Sequence, residues 1–158
     1  MRRWLKIDLH IHSALSPCAL PEMTPNNIVN MAEIIGLDVI AITDHHAADN
    51  VLPVYNLAKR KGIICLPGIE VQTREEVHLL CYFTAPEPLL EFTNHILSLL
   101  DQRVPSIGAQ LIFDENDRVI GKKELFLHQS VPLTMEEIWH LAENYGACCV
   151  PAHLDRPA

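Results

Sequence analysis

The stretch Ile7–Ser13, IDLHIHS, alternates apolar and polar residues and predicts the first β-strand of the fold. It departs from an ordinary strand because two of its positions hold histidine, which is neither a good strand former nor easily buried. Side chains two residues apart on a strand share one face, so His10 and His12 are expected to lie side by side. Two adjacent imidazoles can bind a metal ion. An isolated HxH pattern is nevertheless weak evidence for a metal site, because exposed histidines are common.

Composition and charge limit the classes of protein to which the chain can belong. The chain has 158 residues, 49% of them hydrophobic, and a formal net charge of −8. This predicts one domain with a sizeable core. The acidic balance disfavours a protein that binds long nucleic acid, because that needs clustered Lys and Arg, but a phosphorylated substrate can be neutralised by bound cations. No apolar run approaches the roughly 20 residues of a membrane span, so no membrane partner is expected.

The cysteines indicate a reduced, cytoplasmic protein. Their number is five, which is odd, and no CxxC pair occurs. Four of them lie in apolar runs that predict strands, where a thiol acts as a small core residue: Cys65, Cys81, Cys148 and Cys149. The segment before Ile7 leads straight into polar, histidine-bearing sequence, so no signal peptide is predicted.

Helical and strand patterns alternate along the chain. Thr24 followed by Pro25 predicts a helix start, and Gly36 predicts its end. Val39–Ile42 is a short, continuously apolar run, typical of a strand buried on both faces. The full order is β-α-β-α-β-β-α-(insert)-α-β, which predicts an α/β fold with a parallel sheet or barrel. Residues 101–131 are interpreted as an insertion with a small hairpin.

Imidazoles and carboxylates stand at the ends of the predicted strands. In α/β folds the chemistry gathers at the carboxyl ends of the strands, so these side chains are expected to meet at one rim. Imidazole and carboxylate together suit zinc, manganese or iron. The residues concerned are His10, His12, Asp44, His45, Glu70, His78 and His153.

Several of these residues also have a purely structural interpretation. Asp44 could cap the helix that follows it, and Glu70 could be a solvated loop residue. His78 lies in an apolar run, where a histidine satisfied within the core is as good an interpretation as a ligand. His46 is expected to face away from His45, either behind the ligands or at the surface. No role is predicted for the histidines of the helical and inserted segments, His95, His128 and His140.

These segments together resemble the PHP family, the polymerase and histidinol phosphatase domains. The resemblance lies in DLHIHS at the first strand, ITDHH at the second, GIEV at the third and PAHLDR near the end. Each piece is short, but four in this order make a specific pattern that covers essentially the whole chain. It looks most like stand-alone phosphoesterases of small phosphorylated substrates. The resemblance implies a distorted (β/α)7 barrel, similar to a TIM barrel, that holds two or three divalent ions of manganese, zinc or iron.

The resemblance also implies roles for individual residues. It places one metal on His10, His12 and Glu70, a second on Glu70, His78 and His153, and a third on His45. Glu70 would bridge two metals. If the protein is a phosphoesterase, either His153 or the histidine of the family's last D-x-H motif could protonate the leaving oxygen of the substrate. Asp44 would orient the ligands from behind.

Two further positions stay open within the resemblance. Members of the family often have a His or Asp ligand shortly after the HxH pair, where this chain reads Ser16-Pro17-Cys18. Cys18 could replace that ligand as a thiolate, or the third metal could be weak or absent. Arg156 could hold a substrate phosphate as a bidentate fork, or it could pair with Asp155.

The chain departs from the family pattern at its end. The family has a last D-x-H motif, and no such motif follows PAHLDR. About five of the seven strands are predicted, so residues 1–158 are interpreted as a single PHP domain that lacks its C-terminal part. An open barrel exposes edge strands and apolar surface, through which the chain could oligomerise or be completed by a partner.

The leading hypothesis is a metal-dependent phosphoesterase that hydrolyses a phosphomonoester, a nucleotide or a short oligonucleotide with a metal-activated hydroxide. An amidohydrolase-type enzyme also begins with HxH on a first barrel strand, but the TDHH and GIEV strand ends do not suit it. A non-catalytic metal-binding module is the alternative from a different class, which the missing last motif favours.

Overall fold

The computed structural model of the protein describes residues 4–154. Within them the elements follow the predicted order, and a hairpin lies where the sequence predicts one. The helices and strands are β1 (Ile7–Ile11), α1 (Pro25–Ile35), β2 (Val39–Ile42), α2 (Val51–Arg60), β3 (Ile64–Gln72), β4 (His78–Tyr82), α3 (Pro86–Leu99), β5 (Leu111–Phe113), β6 (Val119–Lys122), α4 (Met135–Asn144) and β7 (Cys148–Pro151).

Five strands form one sheet in the order β1-β2-β3-β4-β7. The first three are parallel, whereas β4 is antiparallel to both β3 and β7, so the parallel direction expected throughout the sheet is wrong for β4. The reason is the short connection between Gln72 and His78, which pair with each other across the turn. Such a connection forms a hairpin, since the crossover of a parallel pair needs a dozen or more residues. The start of β4 therefore lies beside the end of β3.

The sheet curls until its two edges approach each other. β1 and β7 are the edge strands, yet the rings of His10 and His153 stack with their centroids 4.9 Å apart. The hydroxyl of Tyr82 in β4 donates to the carbonyl oxygen of Leu9 in β1 at 2.8 Å, across the strands that separate them in the sheet. The described strands therefore form an incomplete α/β barrel, which confirms the predicted fold class.

The helices pack against the sheet around one main core. α1 and α2 pack on each other, α2 and α3 on β3, and α4 on β7. The core contains fully buried side chains from both layers, among them Ile40, Ile42, Val54, Ile69 and Phe92. As predicted, α1 begins after a Thr24 cap that accepts from the Asn27 amide and ends at a left-handed Gly36. Thr134 opens α4 with a capping box.

β3 is longer than its apolar run. The apolar run that marks it ends at Leu66, because Pro67 and Gly68 weaken a strand pattern. The strand nevertheless continues to Gln72, since its second half pairs with β4. Glu70 consequently lies inside a strand, where its side chain is fixed by the pleat.

The segment 101–131 carries the predicted hairpin, β5 with β6, and its status as an insertion stays a prediction. The hairpin is tied to the body by the buried side chain of Asn50, which donates to the Leu111 carbonyl and accepts from the Phe113 amide, both at 2.9 Å. Asp117 accepts from the hydroxyl of Thr24 at 2.7 Å. After the hairpin the chain returns to the rim of the barrel, where the Val131 amide donates to the Gln72 carbonyl.

All five cysteines are free. Cys65, Cys81 and Cys149 are buried as predicted, but Cys148 is exposed, because alternate residues of β7 face solvent. Apolar side chains are also exposed near the open β1 edge, at Trp4, Leu5, Ile7, Ile34 and Ile35. None of the helices within residues 4–154 is long and apolar enough to cross a membrane.

Gly68 provides a test of the packing between β3 and its neighbours. A Cβ at this position would lie 2.9 Å from Thr43 Cγ2, 3.0 Å from the Ile42 carbonyl oxygen and 3.3 Å from Tyr82 Cδ1. We expect Gly68→Ala to lower the free energy of unfolding by about 1–3 kcal/mol, measured by urea denaturation. Gly121→Ala is the matched control, since the added methyl would make only ordinary contacts, at 3.6 Å. Equal stability of the two variants would contradict this packing.

Candidate metal centre

The predicted rim residues line one open cavity of about 330 Å³. The cavity lies at the carboxyl ends of β1, β2, β3 and β7 and at the amino end of β4. Its lining residues are His10, His12, Cys18, His45, Glu70, His78, His128 and His153. Every residue predicted as a ligand is therefore present in this cavity.

Backbone pairing brings these side chains to the rim. His45 forms a bridge beside Glu70 in continuation of β2 and β3, and the His46 amide donates to the Glu70 carbonyl. His78 is the first residue of β4, so the reversal of that strand brings it to the same rim. The Ala152 amide donates to the His78 carbonyl at 2.8 Å, which holds His153 beside it.

Glu70 is the centre of the cluster, with a side chain that is 0% exposed. Its Oε1 atom lies 2.9 Å from His78 Nδ1, 3.2 Å from His10 Nε2 and 3.7 Å from His153 Nε2. Its Oε2 atom lies 3.2 Å from His12 Nε2 and 3.3 Å from His45 Nδ1. The two carboxylate oxygens thus divide the imidazoles into an Oε1 half and an Oε2 half. In this division His10 and His12 face different oxygens. Their ligand atoms and one of Glu70 nevertheless lie within 4.8 Å of one another, close enough to share one metal as the resemblance implies.

The surroundings keep Glu70 ionised and His45 neutral. Burial opposes the charge of Glu70, but the imidazoles of His10, His12 and His78 outweigh it and hold the pKa of this carboxyl far below its usual range. Burial lowers the pKa of His45 to about 2. Burial also opposes a charge on His12, but Glu70 and Asp44 raise the pKa of His12. An ionised carboxylate and a neutral imidazole are the forms that bind metals, so protonation of His12 would compete with metal binding.

Asp44 lies fully buried behind the imidazoles. Its Oδ1 accepts from the Ser13 amide at 2.7 Å and from the Ser16 hydroxyl at 2.6 Å, and its Oδ2 accepts from the Ser13 hydroxyl at 2.6 Å. Burial raises the pKa of Asp44 to about 6, against these hydrogen bonds, so the group is ionised at neutral pH. Asp44 is not a helix cap, because α2 begins only at Val51.

This network fixes the tautomer of His12. Ser16 donates its single hydroxyl hydrogen to Asp44, which as a carboxylate can only accept. The Ser16 oxygen therefore accepts from the His45 amide at 3.1 Å and from His12 Nδ1 at 3.0 Å. His12 Nδ1 must carry hydrogen, so the Nε2 lone pair of the neutral ring is directed towards Glu70 Oε2. Two lone pairs only 3.2 Å apart repel each other unless a cation lies between them.

The donor atoms fit a divalent ion. His10 Nε2, His45 Nδ1 and Glu70 Oε2 are buried without a hydrogen-bond partner, although each lies near other polar atoms of the cluster. Two ligands about 2.0–2.2 Å from one tetrahedral zinc ion would be about 3.3–3.5 Å apart, close to the nitrogen–oxygen distances around Glu70. Among residues 4–154, three sets of possible ligands have their atoms within 4.8 Å of one another: His10, His12 and Glu70; His45, Glu70 and His78; and His12, Cys18 and His45.

Comparison with known families identifies the domain. The sequence model of the PHP domain family matches residues 8–130, which are more than half of the chain. The chain belongs to the PHP domain family. The matched segment contains β1 to β6 and most of the cavity, while His153 lies beyond it.

Enzymes that act on phosphate esters are among the similar proteins. This PHP domain is 35% identical over 77 residues to a 3′,5′-nucleoside bisphosphate phosphatase of Chromobacterium violaceum, an alignment that covers 47% of this chain and 26% of the phosphatase. It has the fold of a proposed metal-dependent phosphoesterase of Bifidobacterium adolescentis, with a TM-score of 0.65, 18% identity and coverage of 97% and 68%. It also has the fold of a lesion-specific endonuclease of Pyrococcus furiosus, with a TM-score of 0.63 and 22% identity. That match covers 94% of this chain and 34% of the endonuclease.

The chain corresponds to only part of its curated relatives. The alignments cover between 9% and 46% of the lengths of these proteins.

The cavity of the PHP domain also contains a histidine that the sequence did not predict. The ring of His128 stacks on that of His45, with centroids 4.4 Å apart and an interplanar angle of 10°. It follows the hairpin segment and ends no predicted strand, so no periodicity could place it at the rim. Ser16 was likewise missed as the link between His12 and Asp44, since a serine in a loop carries no signal of its own.

The other histidines lie where they support the structure or take no part in the cavity. His46 is fully buried behind the rim, and its Nε2 donates to the Gln129 carbonyl at 2.7 Å, which secures the segment that carries His128. Burial lowers the pKa of His46 to about 4, so it is neutral. His95 and His140 lie on α3 and α4, outside the cavity. Asp155 and Arg156 lie outside the described residues, so the phosphate contact of Arg156 stays a prediction.

Proposed function

We propose that this PHP domain is a metal-dependent phosphoesterase that hydrolyses a small phosphorylated substrate. The observation that carries the proposal is Glu70, a buried carboxylate with histidines facing each of its two oxygens in an open cavity. One divalent ion would be held in the Oε1 half by His10, His78 and His153, and another in the Oε2 half by His12 and His45. Manganese, zinc and iron all suit these ligands.

Bound divalent ions would supply an activated water molecule and neutralise phosphate oxygens. The residues of the chain hold and orient the donors for that chemistry. Glu70 joins the two halves, and Ser16 holds His12 in the tautomer that presents Nε2. Asp44 keeps Ser16 in place, and as a buried anion it also offsets positive charge in the cavity.

His153 is proposed as the proton donor to the leaving oxygen when it is not fully engaged as a ligand. Its Nε2 lies 3.7 Å from Glu70 Oε1, farther than the facing nitrogens of His10, His12, His45 and His78 lie from this carboxylate. Its side chain is 27% exposed, so solvent and a leaving group can reach it.

The size and lining of the cavity favour a small, anionic substrate. A volume of about 330 Å³ suits a phosphorylated small molecule or one nucleotide. No Lys or Arg lines the cavity within the described part of the chain, so bound metal ions are the counter-charge that these residues offer to a phosphate. The similarity to a nucleoside bisphosphate phosphatase supports nucleotides, and the fold shared with an endonuclease supports short oligonucleotides as alternatives to test.

The proposal is tested by turnover of phosphate esters. The full chain, supplied with Mn²⁺ or Zn²⁺, is screened against phosphomonoesters, nucleoside bisphosphates and short oligonucleotides, and we expect hydrolysis of at least one class. The double variant His10→Ala, His12→Ala removes a donor from each half and should abolish that activity, whereas His140→Ala on the exposed face of α4 should retain it.

Unchanged turnover in the double variant would refute the assignment. Stoichiometric metal binding with no phosphoesterase activity would instead support a non-catalytic module, and hydrolysis of amides rather than phosphate esters would support an amidohydrolase.

A further inference from the structure

The Oε2 half of the cavity contains a donor of a different kind. The sulfur of Cys18 and one nitrogen each of His12 and His45 lie within 4.8 Å of one another. Cys18 also lines the cavity, and its side chain is accessible from solvent. The groups that pair with Glu70 Oε1 in the described part of the chain are imidazoles, of His10, His78 and His153. The two halves therefore differ in chemical softness.

Two buried atoms point independently to a ligand in the Oε2 half. His45 is 3% exposed and its Nδ1 has no hydrogen-bond partner, and Glu70 Oε2, 3.3 Å away, also has none. Orphaned buried polar atoms cost free energy unless a ligand satisfies them. A cation close to both would also lie near the Nε2 lone pair of His12.

The position of Cys18 is fixed by the same network that orients His12. Ser16 is anchored through its hydroxyl to Asp44, and the Ala19 amide donates to the Ser16 carbonyl at 3.0 Å. Cys18 lies within this turn, between Ser16 and Ala19, which are both held by these hydrogen bonds. The thiol is consequently located at the cavity by the fold, and its exposure leaves it accessible to an incoming ion.

We propose that Cys18 is a thiolate ligand, with His12 and His45, of a thiophilic divalent ion such as Zn²⁺ or Co²⁺ in the Oε2 half. The inference rests on the proposed function, because it concerns the same site, and it specifies which metal chemistry that half prefers. On binding, the thiol loses its proton to solvent and a metal–sulfur bond forms. Thiolate favours zinc and cobalt over magnesium and manganese, which suit oxygen donors.

Cobalt spectroscopy tests the proposal without relying on turnover. The full chain is titrated with Co²⁺, and we expect visible d–d bands together with a near-ultraviolet thiolate-to-cobalt charge-transfer band. Cys18→Ser should lose the charge-transfer band and keep the d–d bands from the histidine and carboxylate donors. It should also weaken Zn²⁺ binding by at least about tenfold.

Cys148→Ser is the matched control, since Cys148 is the other exposed cysteine and lies outside the cavity. It should keep both sets of bands. Absence of the charge-transfer band from the wild-type chain, or its persistence in Cys18→Ser, would overturn the assignment of Cys18. Either result leaves the phosphoesterase assay unaffected, whereas loss of the proposed function would show as absent turnover with every metal.

Discussion

Glu70→Gln is expected to reduce phosphoesterase turnover by about three orders of magnitude. The carboxylate of Glu70 faces both halves, through Oε1 to His78 and through Oε2 to His45. Glutamine preserves the volume of the side chain but is neutral. Its amide N–H groups would also point towards the imidazole nitrogens that bind metal in one of the two halves. Loss of several kcal/mol of charge stabilisation corresponds to such a factor in rate. Steady-state kinetics with saturating Mn²⁺ or Zn²⁺ measures it.

Glu91→Gln on the exposed face of α3 makes the same chemical change away from the cavity and should leave turnover unchanged. Metal content per chain should fall in Glu70→Gln, and a circular dichroism spectrum like that of the wild type would show that the fold persists. A folded Glu70→Gln variant with wild-type turnover would remove the central argument for the site.

Asp44→Asn is expected to lower the free energy of unfolding by about 2 kcal/mol and to weaken metal binding by about 10–100-fold. An asparagine can accept through only one of its two terminal atoms. Its amide group would then face the Ser13 hydroxyl, which already accepts from Asn50 Nδ2 at 2.9 Å and from the Leu15 amide at 3.3 Å. The hydroxyls would lose their fixed directions, and His12 would lose its fixed tautomer.

Urea denaturation measures the first effect and Zn²⁺ titration the second. Asp49→Asn is the control, because it removes a carboxylate from a partly exposed ion pair with Lys123, where the loss should be below about 1 kcal/mol. If Asp44→Asn bound metal as tightly as the control, the buried carboxylate would have no part in orienting the ligands.

The strand ends could be predicted because periodicity reports which face a residue occupies. The alternation in IDLHIHS places His10 and His12 on one face, and an apolar run before His45 marks the end of a buried strand. These signals are local, so a single sequence contains them. They predict that imidazoles meet at a rim, and the cavity contains every one of the predicted ligands.

What the sequence could not supply depends on strand direction and on contacts between distant segments. His78 was equally compatible with a core residue, and the reversal of β4 after a short turn is what brings it to Glu70. His128 reaches the cavity because His46 secures the Gln129 backbone, a contact between residues far apart in the chain. The hydroxyl of Ser16 is decisive only because it meets a buried carboxylate.

The β3–β4 hairpin also has a consequence for the order in which the centre assembles. Glu70 and His78 are separated by eight residues and joined by a tight turn, so their pairing has little loop-closure entropy to overcome. His153 follows the last strand, and its approach to Glu70 needs β7 to dock against β4. Because contacts of low sequence separation generally form fastest, we expect Glu70 to meet His78 early in folding and His153 late. A metal ion that binds Glu70 and His78 together with His153 would stabilise the docked position of β7. Metal affinity and docking of the final strand would then be thermodynamically coupled.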